Sequence, residues 1–207
     1  MTVPTRERIV LEAMRLFGEK GYASTSIQDI LRAAGANAGS LYHFFPAKQD
    51  LLVAVLEAYR VGLYPMLLDP IWDRVTDPIE RVFALLERYR ELLVETDCFY
   101  GCPIGNLALE LHEPDPAVRK LLAANFEGWV GAVRECLDLA GSRLPKGLDR
   151  EELAQFVLTT MEGGVMQART HRSLRPFDGC VRQLRSYFEQ LMSAARQEAR
   201  ANGNKST

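Results

Sequence analysis

The sequence predicts an all-α protein of about nine helices. Three observations carry that reading. Apolar residues recur at three- and four-residue spacing along most of the 207 residues, as Ile9, Ala13, Leu16 and Phe17 do near the start. No segment alternates apolar and polar residues for any length, so strand periodicity is missing. Helix punctuation is frequent: Asp77-Pro78, Asp115-Pro116 and Asp149 with Glu152 mark starts, and Gly21, Gly35 and Pro46 mark stops. No repeat is detectable.

The first expected helix runs from Thr5 to Lys20 and ends at Gly21. The stretch T-S-I-Q-D-I-L-R-A-A-G-A-N-A-G-S-L-Y-H-F-F-P-A-K, Thr25 to Lys48, reads as two short helices around a tight turn. Thr25 and Gln28 form a capping box at the start of the first. Ile27, Ile30 and Leu31 face inward, and Gly35 closes the helix in the left-handed region. Asn37 caps the second, whose apolar side is Leu41, Phe44 and Phe45, and Pro46 ends it. Two helices about a short Gly-containing turn are the geometry of a DNA-binding helix-turn-helix. The outer face of the second helix carries Ala38, Gly39, Ser40, Tyr42 and His43. Small residues let a helix approach base edges, while Tyr42, His43 and Lys48 can donate to phosphate. Thr25, Gln28 and Asn37 complete the expected contact set for double-stranded DNA.

At these residues the chain resembles the TetR family of regulators, and L-Y-H-F-F-P-A-K-Q-D-L is the most specific part of the match. Ala36 and Ala38 depart from it, standing where the family often has larger residues. The resemblance implies a three-helix DNA-binding head over residues 1–47 and a ligand-binding and dimerisation domain over 48–198, followed by a flexible tail over 199–207. It implies a homodimeric repressor of a palindromic operator, dimerising through the last two helices and released by a hydrophobic small-molecule effector. It also makes the helix from Lys48 to about Leu68 the lever between the two parts, with Pro65 kinking or ending it. G-C-P-I-G at 101–105 resembles a sub-branch in which that run opens the sixth helix.

The later helices follow from their own signals. One starts at Asp77-Pro78, with Ile79, Val82, Phe83, Leu86 and Leu93 inside, and fades near Thr96. Another starts at Asp115-Pro116 and runs to about Ala140, burying Val118, Leu122, Phe126, Trp129 and Val133. The eighth carries Phe156, Val157, Met161 and Val165, and the ninth Val181, Leu184, Tyr187, Phe188 and Leu191. The polar tail from Arg196 is expected to fray. By resemblance, Trp72, Phe99, Tyr100, Cys102, Asn106, Phe126, Trp129 and Met161 lie on segments around the effector cavity. Asn106 and Glu110, four apart on one helix face, are both expected to point into it. Gly163 and Gly164, each costing roughly 1 kcal/mol in a helix interior, imply a close neighbour or a ligand.

Composition limits the alternatives. Hydrophobic residues make up 47% of the chain, enough for a packed core, and the net charge is −2. Residues 1–50 hold six Lys/Arg against five Asp/Glu, a net +1, so DNA contact rests on local cations such as Arg6, Arg32 and Lys48. Neither a leader-like segment nor a run of 18 apolar residues is read, which points to a cytoplasmic protein with no membrane partner. The four cysteines, Cys98, Cys102, Cys136 and Cys180, lack zinc-ligand spacing and read as free thiols. Neither a metal nor a cofactor is expected, and His112-Glu113 near Asp115 reads as a solvated turn. There is no nucleophile motif and no phosphate loop, so no enzyme is expected. Two other readings stay open: a regulator sensing oxidants through Cys98 and Cys102, and a helical adaptor that does not bind DNA.

Overall fold

The computed structural model describes residues 3–203, and every regular element among them is helical. Nine helices are labelled here. They are α1 (Thr5–Lys20), α2 (Ile27–Ala34), α3 (Ala38–Phe44), α4 (Lys48–Gly62) and α5 (Pro78–Glu95), then α6 (Pro103–Glu110), α7 (Pro116–Leu139), α8 (Arg150–His171) and α9 (Arg175–Gly203). A π-helical stretch, Leu63–Leu68, and one further turn, Asp69–Trp72, continue from α4. Pro65 lies inside the π stretch, where its missing N–H removes a ladder bond and the wider helix absorbs its ring. The expected lever therefore changes helical type at Leu63 and does not stop at Pro65. Lys48–Trp72 is long and apolar enough to cross a membrane by length and composition. Leu51, Leu52, Val55, Leu56, Leu63 and Leu68 along it are nevertheless buried in the protein.

The chain forms two compact units. Among the described residues, the first holds 3–64 together with Tyr100–Glu127; the second holds Pro65–Phe99 and 128–203. In the first, α1 buries Ile9, Val10, Ala13, Leu16 and Phe17. Its end at Gly21 has φ +85°, and Tyr22 meets Phe17 edge-on with ring centroids 5.2 Å apart. The Nε of Arg8 donates to the carbonyl of Ala34 at 3.2 Å, tying α1 to the end of α2. Gly35 there has φ +56°, as the left-handed stop requires. Further along, the buried amide of Asn125 on α7 donates to the carbonyls of Leu56 on α4 and Leu121 on its own helix, at 3.1 and 2.9 Å.

The capping box differs by one residue from the expectation. Ser26, not Thr25, is the N-cap of α2: its hydroxyl accepts from the Asp29 N–H at 3.1 Å, and the Asp29 carboxylate accepts from the Ser26 N–H at 3.1 Å. The Ser26 hydroxyl and then the Ser26 N–H hold the Asp29 carboxyl below its ordinary range. Thr25 is buried, with its hydroxyl donating to the Gly21 carbonyl at 2.7 Å. Ser26→Ala is expected to cost about 1 kcal/mol in denaturant unfolding, while Gln28→Ala, at an exposed position, leaves the midpoint unchanged. The reverse ranking would return the cap to Thr25 and Gln28.

In the second unit, Asp77 and Asp149 cap as expected, each accepting from two backbone N–H groups of the following turn. Phe188 on α9 is fully buried and meets Phe83 on α5 in a T-shaped contact, centroids 5.3 Å apart. Gly164 lets α9 approach α8: a Cβ there would stand 3.0 Å from the Phe177 ring and 3.4 Å from its Cα. At Gly163 a Cβ would meet nothing within 4 Å, so this unit contains no neighbour that requires glycine. After α5, Asp97 and Cys98 both take positive φ, +49° and +54°. Two expected core aromatics are outside: Phe156 is 50% and Tyr187 39% exposed, paired with each other at 6.0 Å. Past Arg196, where the polar tail begins, α9 continues to Gly203; residues 204–207 of the expected tail lie outside the described residues.

Candidate nucleic-acid interface

α3 is seven residues long and buries only Leu41. Its start is fixed by Asn37, whose side-chain oxygen accepts from the Ser40 N–H at 2.8 Å. One anchored leucine and one cap leave the remaining side chains turned outward. Ala38, Gly39, Tyr42 and His43 are exposed and Ser40 is half-buried; Gln28 on α2 and Asn37 are exposed as well. None of these is acidic. Phe44, expected inside, is 38% exposed and stacks edge-on against His43 at 5.0 Å, whereas Phe45 is buried. The helix ends at Phe44, so the two adjacent rings cannot share one face.

Two expected DNA contacts face inward instead. Thr25 is buried, as described above. Lys48 is half-buried: its ammonium donates to the Tyr22 carbonyl and lies 4.2 Å from the Tyr22 ring centroid. Burial lowers the Lys48 pKa, against the opposing pull of Glu110. An ammonium so engaged braces the head from within. Of the other candidate cations, Arg6 stacks over the Phe45 ring at 5.3 Å, and Arg32 is open to solvent with only a loose 3.9 Å approach to Asp29.

The residues expected around an effector are divided between the two units. Tyr100, Cys102, Asn106, Glu110 and Phe126 belong to the first, and Trp72, Phe99, Trp129 and Met161 to the second. Several have defined partners. Trp129 is buried edge-on against Tyr89 at 5.5 Å, Arg172 stacks over Phe99 at 5.0 Å, and Arg81 donates to the Trp72 carbonyl at 3.1 Å. Desolvation, then Glu19 of α1, raises the Tyr100 hydroxyl. Glu110 is turned toward the chain that follows α1: its carboxylate accepts from the backbone N–H groups of Tyr22 and Ala23. Burial raises the Cys98 thiol and pushes Cys136 up to about 11. Among the described residues no group of three or more His, Cys, Asp or Glu is placed to hold a metal ion.

Sequence comparison decides the family. Residues 9–55 match the model described as bacterial regulatory proteins, tetR family, and residues 78–183 match the transcriptional regulator LmrA/YxaF-like C-terminal domain. The chain belongs to the TetR family of transcriptional regulators. One relative, an uncharacterised HTH-type transcriptional regulator of Mycobacterium tuberculosis, is 33% identical over 190 residues, covering 87% of this chain and 92% of its own. The HTH-type transcriptional repressor DhaR of Mycobacterium sp. is 29% identical over 178 residues, covering 84% and 87%. Among solved structures, regulatory protein TetR from Rhodobacter sphaeroides superposes with a TM-score of 0.78 at 25% identity, over 87% of this chain and 96% of that one. Reduced NemR of Escherichia coli superposes at 0.77 with 21% identity, over 88% and 96%, which shows the fold alone. An N-terminal helix-turn-helix followed by a helical C-terminal domain is thus the architecture of this TetR-family chain.

Proposed function

We propose that the protein is a homodimeric, ligand-released repressor that places α3 of each copy in the major groove of a palindromic operator. The observation carrying this is the outward face of α3: Gly39, Ser40, Tyr42 and His43 project without a carboxylate among them, on a helix held by Leu41 and the Asn37 cap. Gln28, Asn37 and Ala38 extend the contact surface, and Arg32 supplies charge at its edge. Thr25 and Lys48 support it from behind. The net charge of −2 makes non-specific affinity weak, so base contact and dimer geometry carry most of the binding.

The second copy is proposed to cover the α8–α9 face, where Phe156, Met166 and Tyr187 are exposed and Phe156, Thr160, Cys180 and Tyr187 border an open cleft of about 510 Å³. Gly163 lies along this helix and would admit close approach of a partner backbone. The effector is proposed to be a hydrophobic small molecule, consistent with the aromatic content near Trp129, and the site of action to be the cytoplasm. Gly101 to Gly105 supports the sub-branch in which G-C-P-x-G opens the sixth helix. Thiol sensing has less support, because burial raises the Cys98 pKa and leaves little thiolate.

The experiment is a titration of the protein with duplex DNA from its own upstream region. A saturable complex of two chains per site is expected, weakening with salt and released by hydrophobic aromatic compounds that also change tryptophan fluorescence. A protein that ignores this DNA at every ionic strength would favour the adaptor reading. Release by oxidant alone would favour the thiol reading.

A further inference from the structure

Glu110 is the last residue of α6, and its carboxylate grips the turn between α1 and α2. Oε2 accepts from the Tyr22 N–H at 2.8 Å and Oε1 from the Ala23 N–H at 2.7 Å. Both oxygens are thus committed to neighbouring backbone donors, a bidentate arrangement that fixes direction as well as distance. The close approach depends on Gly21. A Cβ at that position would stand 3.0 and 3.1 Å from the two carboxylate oxygens, and its φ of +85° already disfavours other residues. On the other side of the turn, the Lys48 ammonium holds the Tyr22 carbonyl. Tyr22 is therefore held at its N–H by α6 and at its C=O by the first residue of α4. The chain from this turn runs directly through Thr25 and the Ser26 cap into α2 and α3.

We propose that Glu110 is a positioning residue for the helix-turn-helix: a carboxylate clasp through which α6 sets the pose of the α1–α2 turn, and with it the direction in which α3 is presented. A displacement of α6 then reaches the head through Glu110 in addition to α4. The clasp itself rests on the hydrogen bonds above, and its consequence for DNA rests on the operator-binding reading.

Two measurements test it on the full-length protein with Glu110→Ala and Glu110→Gln. The first is amide hydrogen exchange. Loss of a charge-assisted acceptor is expected to speed exchange at Tyr22 and Ala23 by about 10-fold or more in Glu110→Ala. Amides in the middle of α1 and α4 should keep wild-type rates. Glu110→Gln keeps one acceptor oxygen and should fall between the two. The second uses an operator selected by the wild-type protein from random duplexes, with the spacing between half-sites then varied in single base pairs. Glu110→Ala is expected to lose about 10-fold on the preferred spacing and to discriminate less between spacings. A merely structural role would lower all spacings together. Unchanged exchange at Tyr22 and Ala23 would overturn the clasp, and a wild-type spacing profile in a variant with fast exchange would overturn its positioning role. If the wild-type protein selects no duplex, the operator reading and the clasp's role in DNA binding fall together, while hydrogen exchange still decides whether the clasp exists. Should Glu110→Ala not fold, Glu110→Gln carries both measurements.

Discussion

Phe188→Ala will destabilise the protein by about 3–5 kcal/mol, the usual cost of emptying a buried phenylalanine site. Phe188 has no exposed surface and packs edge-on against Phe83, which also carries the Arg185 guanidinium 3.8 Å above its ring centroid. The vacated volume lies between two long helices, α5 and α9, that cannot collapse locally. For a chain of this size the loss corresponds to roughly 6–20 °C in the thermal midpoint, read by circular dichroism. Phe156→Ala is the matching control. It removes the same side chain from a half-exposed site, so in protein diluted to single chains it should cost well under about 1 kcal/mol. A drop in stability for Phe156→Ala as large as that for Phe188→Ala would mean that the exposed face is covered even in dilute solution.

His43→Glu will abolish operator binding while leaving the fold intact. The residue is exposed near the end of α3, where a carboxylate costs only about 0.3–1 kcal/mol against the helix dipole. Beside a phosphate backbone the same charge costs several kcal/mol, a loss of about 100-fold or more. Tyr42→Ala removes a contact without adding repulsion and should cost about 1–3 kcal/mol, with dimer and thermal midpoint unchanged. Fluorescence anisotropy across a salt series separates the two, because only the charge insertion changes the electrostatic part. Wild-type affinity in either variant would remove that residue from the interface.

The architecture was legible in the sequence because its signals are local. Asn37, Asp77 and Asp149 are caps that act within one turn, and Gly35 is a stop that acts through its own φ. The errors arose where two neighbours fit one signal. Thr25 and Ser26 are adjacent hydroxyls, each with a suitable side chain three residues on, and only the burial of Thr25 decides between them. Phe44 and Phe45 are likewise adjacent, and periodicity cannot choose which ring turns in at the end of a seven-residue helix. The role of Glu110 was out of reach for a different reason. Spacing pairs it with Asn106 on its own helix, but its partners are backbone groups at Tyr22 and Ala23, and nothing local encodes a hydrogen bond to a main chain so far upstream. The bond from Lys48 to the Tyr22 carbonyl is equally non-local: a lysine at the start of a helix gives no sign in its own neighbourhood of a carbonyl 26 residues upstream.

The compact unit containing the reading head closes only when Tyr100–Glu127 joins the first 64 residues. During synthesis, α1 to α4 must therefore leave the ribosome and wait for α6 before the α1–α2 turn acquires its acid. The same dependence limits grafting. A chimaera that takes its N-terminal segment from one relative and the remainder from another inherits a glycine and a carboxylate selected in different backgrounds, and a transplanted head needs residue 110 to travel with residue 21.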